Sequence, residues 1–174
     1  MSRGFVKEGD QEERPIIPPR APLPAGVPNY VSPQGHQELK AEEAELLAER
    51  ARLVELNGVE RRYQSYLIEG KLQELRTRIN HARVIDWSKE SPEDIRFGAR
   101  LKVKVLKGPQ AGKEMFFQIV GVDEASPAQG KIPFTAPIAK AALGKRVGEE
   151  FRFLFEGYYR IFKVLSFEYE KRGT

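Results

Sequence analysis

Two hydrophobic periods that cannot coexist in one element divide this chain. Leu39, Leu46 and Leu53 recur every seven residues, with Leu47 and Val54 widening the stripe. Seven residues make about two helical turns, so these side chains share one helix face. Ser32 followed by Pro33 supplies an N-cap with proline at the first helical position. Asn57-Gly58 reads as the C-cap pair that stops this helix. Beyond it, Ile68, Leu72, Leu75, Ile79 and Ala82 step by four and three, the stripe of a second helix. Two helices of about 22–25 residues joined by a tight turn pack as an antiparallel coiled-coil hairpin, about 35 Å long at 1.5 Å per residue. Both stripes are narrow and the other faces are charged, so this arm projects into solvent.

From residue 95 the period drops to two. Leu101, Val103 and Val105 alternate with Lys102 and Lys104, the pattern of a half-buried strand. Gly108–Gly112 is a turn, Met115–Val122 a second strand and Ile132–Thr135 a short third one. Pro137 opens a short helix, Ile138–Leu143, that Gly144 ends; Phe151–Phe155 and Tyr159–Phe167 form a closing hairpin around Glu156–Tyr158. The class is therefore α+β: a helical hairpin, then an antiparallel β unit with one short helix. Upstream, residues 1–31 hold six of the twelve prolines and no helical period. Such a segment is extended and polyproline-like, a semi-rigid tail on the protein's own surface or a disordered one, with Phe5 and Val6 as anchors for its start. Its PxxP spacings (Pro15 to Pro18, Pro19 to Pro22) also match what SH3-type grooves read, but follow from the tail geometry alone. The division is a tail at 1–31, a hairpin at 32–86 and a globular domain at 87–174.

Composition narrows the function classes. There are no cysteines, which removes disulfides and thiolate metal sites. No run approaches the roughly 18 apolar residues of a membrane helix, and Arg3 and Lys7 are not followed by an apolar signal region, so the cytoplasm is the expected compartment. His36 and His81 lack ligand-spaced partners, no serine sits in a nucleophile elbow, and Gly108–Gly112 lacks the end of a phosphate loop; neither metal, cofactor nor catalytic group is expected. The net charge is +4, and residues 87–174 hold sixteen basic against eleven acidic side chains. That balance is milder than that of a dedicated DNA-binding module. Arg96, Arg100, Lys102, Lys104 and Lys107 read as a solvated strand face, with contact to RNA or a polymerase as the alternative. Tyr158, Tyr159 and Phe162 read as strand aromatics, with stacking on bases as the alternative. Trp87 is placed where arm meets domain.

Several separated motifs, in order, resemble one family. Ile119-Val-Gly-Val-Asp-Glu-Ala125, Gly130-Lys-Ile132, Ala136–Lys145 and Val147-Gly148 resemble the C-terminal domain of bacterial Gre (GreA/GreB) transcription elongation factors. Glu69–Leu72 leading to Ala82–Asp86 is similar to the Gre junction between coiled coil and globular domain. The resemblance implies an FKBP-like domain that docks on RNA polymerase at the rim of its secondary channel, as a monomer, with nucleic acid close by in the transcription complex. Carried over by position, the contact involves Asp123, Thr135, Ala136, Pro137 and Ile138; many family members have acidic and serine side chains where Thr135 and Ala136 stand. The arm departs further. The family's acidic tip motif is missing, the hairpin is several turns short, and the turn reads Val54–Tyr63, with Glu55 and Glu60 as its acids and Arg61 and Arg62 beside Glu60. The expectation is a non-enzymatic regulator without efficient stimulation of transcript cleavage. A cleavage factor using Glu55 and Glu60, and a prolyl isomerase on the same fold, are the alternatives.

Overall fold

The computed structural model describes residues 14–171, so Phe5 and Val6 lie outside the described residues. The arm is built from α1 (Pro33–Arg52) and α2 (Gly58–Asn80). Ser32 starts α1: its hydroxyl oxygen accepts the Gly35 N–H at 2.9 Å, and Pro33, which has no N–H to orphan, fills the first position. Leu39, Leu46 and Leu53 are buried with Ile68, Leu72 and Leu75 of the facing helix. The turn differs from the sequence reading. Helix α1 stops at Arg52 and a 3-10 turn, Leu53–Glu55, follows. Asn57 takes the extended backbone of an N-cap for α2, and Gly58 opens that helix with φ +47°. Asparagine and glycine suit both ends of a helix, and here the second helix takes them.

The arm is tied at both ends by two short strands, β1 (Asn29–Val31) and β2 (Ala82–Val84), paired in parallel with Asn29 opposite Ala82. β1 lies inside the segment read from sequence as a tail. The globular unit is a five-stranded sheet of β3 (Arg100–Lys107), β4 (Glu114–Val120), β5 (Lys131–Pro133), β6 (Glu150–Phe155) and β7 (Tyr158–Glu168), in the order β5-β4-β3-β7-β6. The sheet is mixed rather than antiparallel, because β5 runs parallel to β4. Residues 121–130, with a 3-10 turn at Pro127–Gln129 and Gly130 at φ +67°, carry the chain back to Gln118, midway along β4, instead of closing a hairpin.

One face of the sheet curls over α3 (Pro137–Ala142). Val103, Ile119 and Val164 on that face are fully buried, as are Ala139 and Ala142 of the helix. Phe162 is stacked between Phe151 and Phe153, with ring centroids 5.5 Å away on each side. It is therefore core, as read for a strand aromatic, and the base-stacking alternative does not apply to it. Tyr30, Phe97 and Phe134 form a second aromatic group, 5.4–6.1 Å apart, that seats β1 against the domain. Among the described residues no helix is long and apolar enough to cross a membrane.

Candidate functional site

The parallel pairing of β4 and β5 sets the geometry. Val120 stands beside Pro133, so the loop after β4 and the segment after β5 leave the sheet at the same end. Asp123 belongs to the first and Thr135–Ile138 to the second; residues twelve or more apart in sequence share one edge of the fold.

The loop after β4 is held against the base of the arm. A Cβ on Gly121 would come 2.7 Å from the Tyr30 carbonyl oxygen, so β1 approaches the loop closely only because this residue has no side chain. The Asp123 carboxylate is 8% exposed and accepts a hydrogen bond from Arg20 Nε at 3.0 Å, with Arg78 Nη1 3.5 Å from its other oxygen. Arg20 forks onward to Glu42 of α1 at 2.7 and 3.0 Å. That hydrogen bond, ahead of its contacts with Asp123, raises the Arg20 pKa above its ordinary value. Arg78 of α2 also donates to the Ala21 carbonyl. Next to Asp123, Glu124 accepts the Ser32 hydroxyl at 2.6 Å, and Lys131 Nζ lies 3.8 Å away. Burial pushes the Glu124 carboxyl above the ordinary glutamate range, with the Ser32 hydrogen bond and Lys131 opposing. A Cβ on Gly35 would stand 2.5 Å from the Glu124 oxygen, so that glycine leaves room for the carboxylate.

Asp123 thus faces inward and fixes how the arm leaves the domain. Sequence reasoning missed Arg20, Arg78 and Glu42 in this network. Of its members, Ser32 was legible as a helix cap and Asp123 only through the resemblance, as a contact residue.

Thr135, Ala136 and Ile138 are half-buried and Pro137 is exposed. The Ala136 N–H donates to the Pro133 carbonyl at 2.9 Å, and its own carbonyl accepts from Lys140 at 3.0 Å, so the segment turns directly into α3. Ile138 packs against the domain core while Pro137 presents an apolar surface to solvent.

The arm tip is a separate place. Glu55, Glu60, Arg61 and Arg62 are all exposed, Glu55 closing the 3-10 turn and Glu60 in the first turn of α2. Gln64 donates to the Glu60 carboxylate at 2.9 Å. Val54 and Val59 are 68% and 59% exposed, so the tip is apolar and mixed in charge rather than acidic. Twenty residues of α1 at 1.5 Å each put this tip ~30 Å from the arm's base.

Trp87 sits at the arm–domain junction, donating its indole N–H to the Phe97 carbonyl at 2.9 Å beside Tyr169. His81 contacts the Thr77 carbonyl through Nδ1 at 2.8 Å. Among the described residues no group of three or more His, Asp or Glu side chains is placed to hold a metal.

Comparison with known proteins fits this geometry. A family model described as "Transcription elongation factor, GreA/GreB, C-term" matches residues 90–169. Transcription elongation factor GreA of Thermodesulfovibrio yellowstonii is 30% identical over 155 residues, covering 80% of this chain and 96% of that relative. GreA of Syntrophus aciditrophicus is 32% identical over 144 residues, covering 83% and 80%. GreA of Sinorhizobium medicae is 39% identical over 101 residues, where this chain spans 62% of the relative's length. A solved structure of GreA factor homolog 1 of Thermus thermophilus aligns with a TM-score of 0.37 at 23% identity, covering 82% of this chain and 99% of that one. With the motifs in order along arm and domain, and relatives matched over most of their length, the chain belongs to the GreA/GreB family of transcription elongation factors.

Proposed function

We propose that this protein binds RNA polymerase at the secondary-channel rim through the sheet end carrying Thr135–Ile138, and regulates elongation without efficiently stimulating transcript cleavage. The observation that carries the reading is the parallel β4–β5 pairing. It gathers the family-like segments on one edge, where Pro137 is exposed and the loop of Asp123 and Glu124 is bolted to the arm. Asp123 acts here by orienting the arm that leaves the docked domain, rather than as a free carboxylate. The protein is not itself an enzyme, and it works in the cytoplasm as a monomer, the 32–86 arm entering beside the docked 87–174 domain. A prolyl isomerase on the same fold is the alternative reading.

The test is a pull-down with core polymerase. Replacing Pro137 and Ile138 together by aspartate should weaken binding at least about tenfold, some 1.4 kcal/mol. Ile138 packs on the core, so Pro137→Asp alone is the cleaner variant and should weaken binding in the same direction with an unchanged circular dichroism spectrum. Unchanged binding by folded variants removes this edge from the interface.

A further inference from the structure

The face of the sheet turned away from α3 is uneven in charge. On its β4–β5 side the cations are compensated: Lys102 pairs with Glu114 at 2.7 Å, Arg100 with Glu170 at 3.0 Å and Lys131 with Glu124 at 3.8 Å. On the β6–β7 side they are not. Lys104 stands directly opposite Lys163 across β3 and β7, and Lys107 opposite Ile161, which in turn faces Arg152 on β6. All four cations are exposed, and none forms an ion pair among the described residues. Two acids face these cations in the register: Glu150 stands opposite Lys163, and Glu114 stands opposite Lys104 but turns its carboxylate to Lys102. Like charges placed directly across a strand pair are destabilising, and neither Glu114 nor Glu150 closes an ion pair with Lys104 or Lys163 to offset it.

Set among these cations is exposed aromatic and apolar surface. Tyr159 is 53% exposed and Leu154, its cross-strand neighbour, 54%. The Arg152 guanidinium lies 5.4 Å from the Tyr159 ring centroid. At the adjacent hairpin end Tyr158 is 75% exposed. An exposed ring set among cations that form no ion pair among the described residues matches a polymer carrying backbone phosphates and accessible base faces. A duplex keeps its bases stacked internally, and a purely acidic protein surface would leave the rings without partners.

From this geometry we infer that the outer β3–β7–β6 face, through Lys104, Lys107, Lys163, Arg152 and Tyr159, is a binding site for single-stranded nucleic acid. It lies on a different face from the docking edge and does not depend on that reading.

Fluorescence anisotropy of the full chain, without polymerase, with a labelled oligouridylate of about twelve nucleotides tests it. Expected is binding that weakens as salt rises and that exceeds binding to a DNA duplex of matched length. Tyr159→Ala should weaken it about fivefold or more, the lower range for loss of one base–aromatic stack, while Tyr159→Phe should retain it. Lys104→Glu with Lys163→Glu should abolish it, with folding checked by circular dichroism. Affinity unchanged by Tyr159→Ala or by the charge reversal overturns the inference, as does equal affinity for the duplex. A charge reversal that impairs polymerase binding while the oligonucleotide never binds assigns the face to protein instead, and overturns it equally.

Discussion

At the base of the arm one carboxyl, Glu124, is held under Ser32 and beside Lys131. Its raised pKa has a definite consequence. A carboxyl that is harder to ionise in the folded state favours folding while protonated, and that contribution is lost as pH rises through the raised value. Glutamine mimics the protonated form and can still accept the Ser32 hydroxyl. The melting temperature of Glu124→Gln, relative to wild type, should therefore increase between about pH 4 and pH 7.5. A relative decrease over that interval would mean that the Lys131 attraction outweighs desolvation. The residue scale is also where sequence reasoning had least reach. Asp123 reads as a surface carboxyl in a loop, yet its partner Arg20 is 103 positions away, and no local pattern links them. For Phe162 the strand-aromatic reading left core and base stacking open as alternatives, and the stack with Phe151 and Phe153 settles it as core.

Among the elements, the arm and its polyproline-like strap behave as one unit. Ile17 sits over Gly70 of α2, where an added Cβ would meet its terminal carbon at 2.0 Å. Glycine to alanine inside a helix ordinarily stabilises by about 1 kcal/mol. Gly70→Ala should give less than that, since Ile17 must lift, and trypsin should cut faster after Arg20. The full gain with unchanged proteolysis would show that the strap is not seated there. The helices and most strands were legible because their signals are local, heptad leucines in one case and Leu101–Val103–Val105 alternation in the other. β1 and β2 were not, being three-residue strands paired across 53 positions. The parallel sense of β5 was hidden too, since a strand that short carries no mark of direction. The proposed docking segment comes from family resemblance, while its gathering with the Asp123 loop onto one edge depends on that parallel pairing.

For the whole molecule, the expectation is a body that docks like its relatives but carries a different tip. Two-metal phosphodiester chemistry places ions ~3.5–4 Å apart, and a factor that assists it delivers carboxylates to about ångström accuracy. Glu55 and Glu60 here sit at the arm tip with exposed Val54 and Val59 around them, and Arg61 and Arg62 follow Glu60 directly. A protein of this build should occupy the channel rim, exclude other arms and leave backtracked RNA uncut. The direct measurement is cleavage of labelled RNA in backtracked polymerase complexes, with this protein added alone and then titrated against a cleavage-competent Gre factor. Alone it should leave the cleavage rate at its intrinsic value, and in competition it should suppress the Gre-stimulated rate in a concentration-dependent way. Acceleration by the protein alone that is lost in Glu55→Ala/Glu60→Ala, or undiminished Gre stimulation at saturating concentration, would contradict the account.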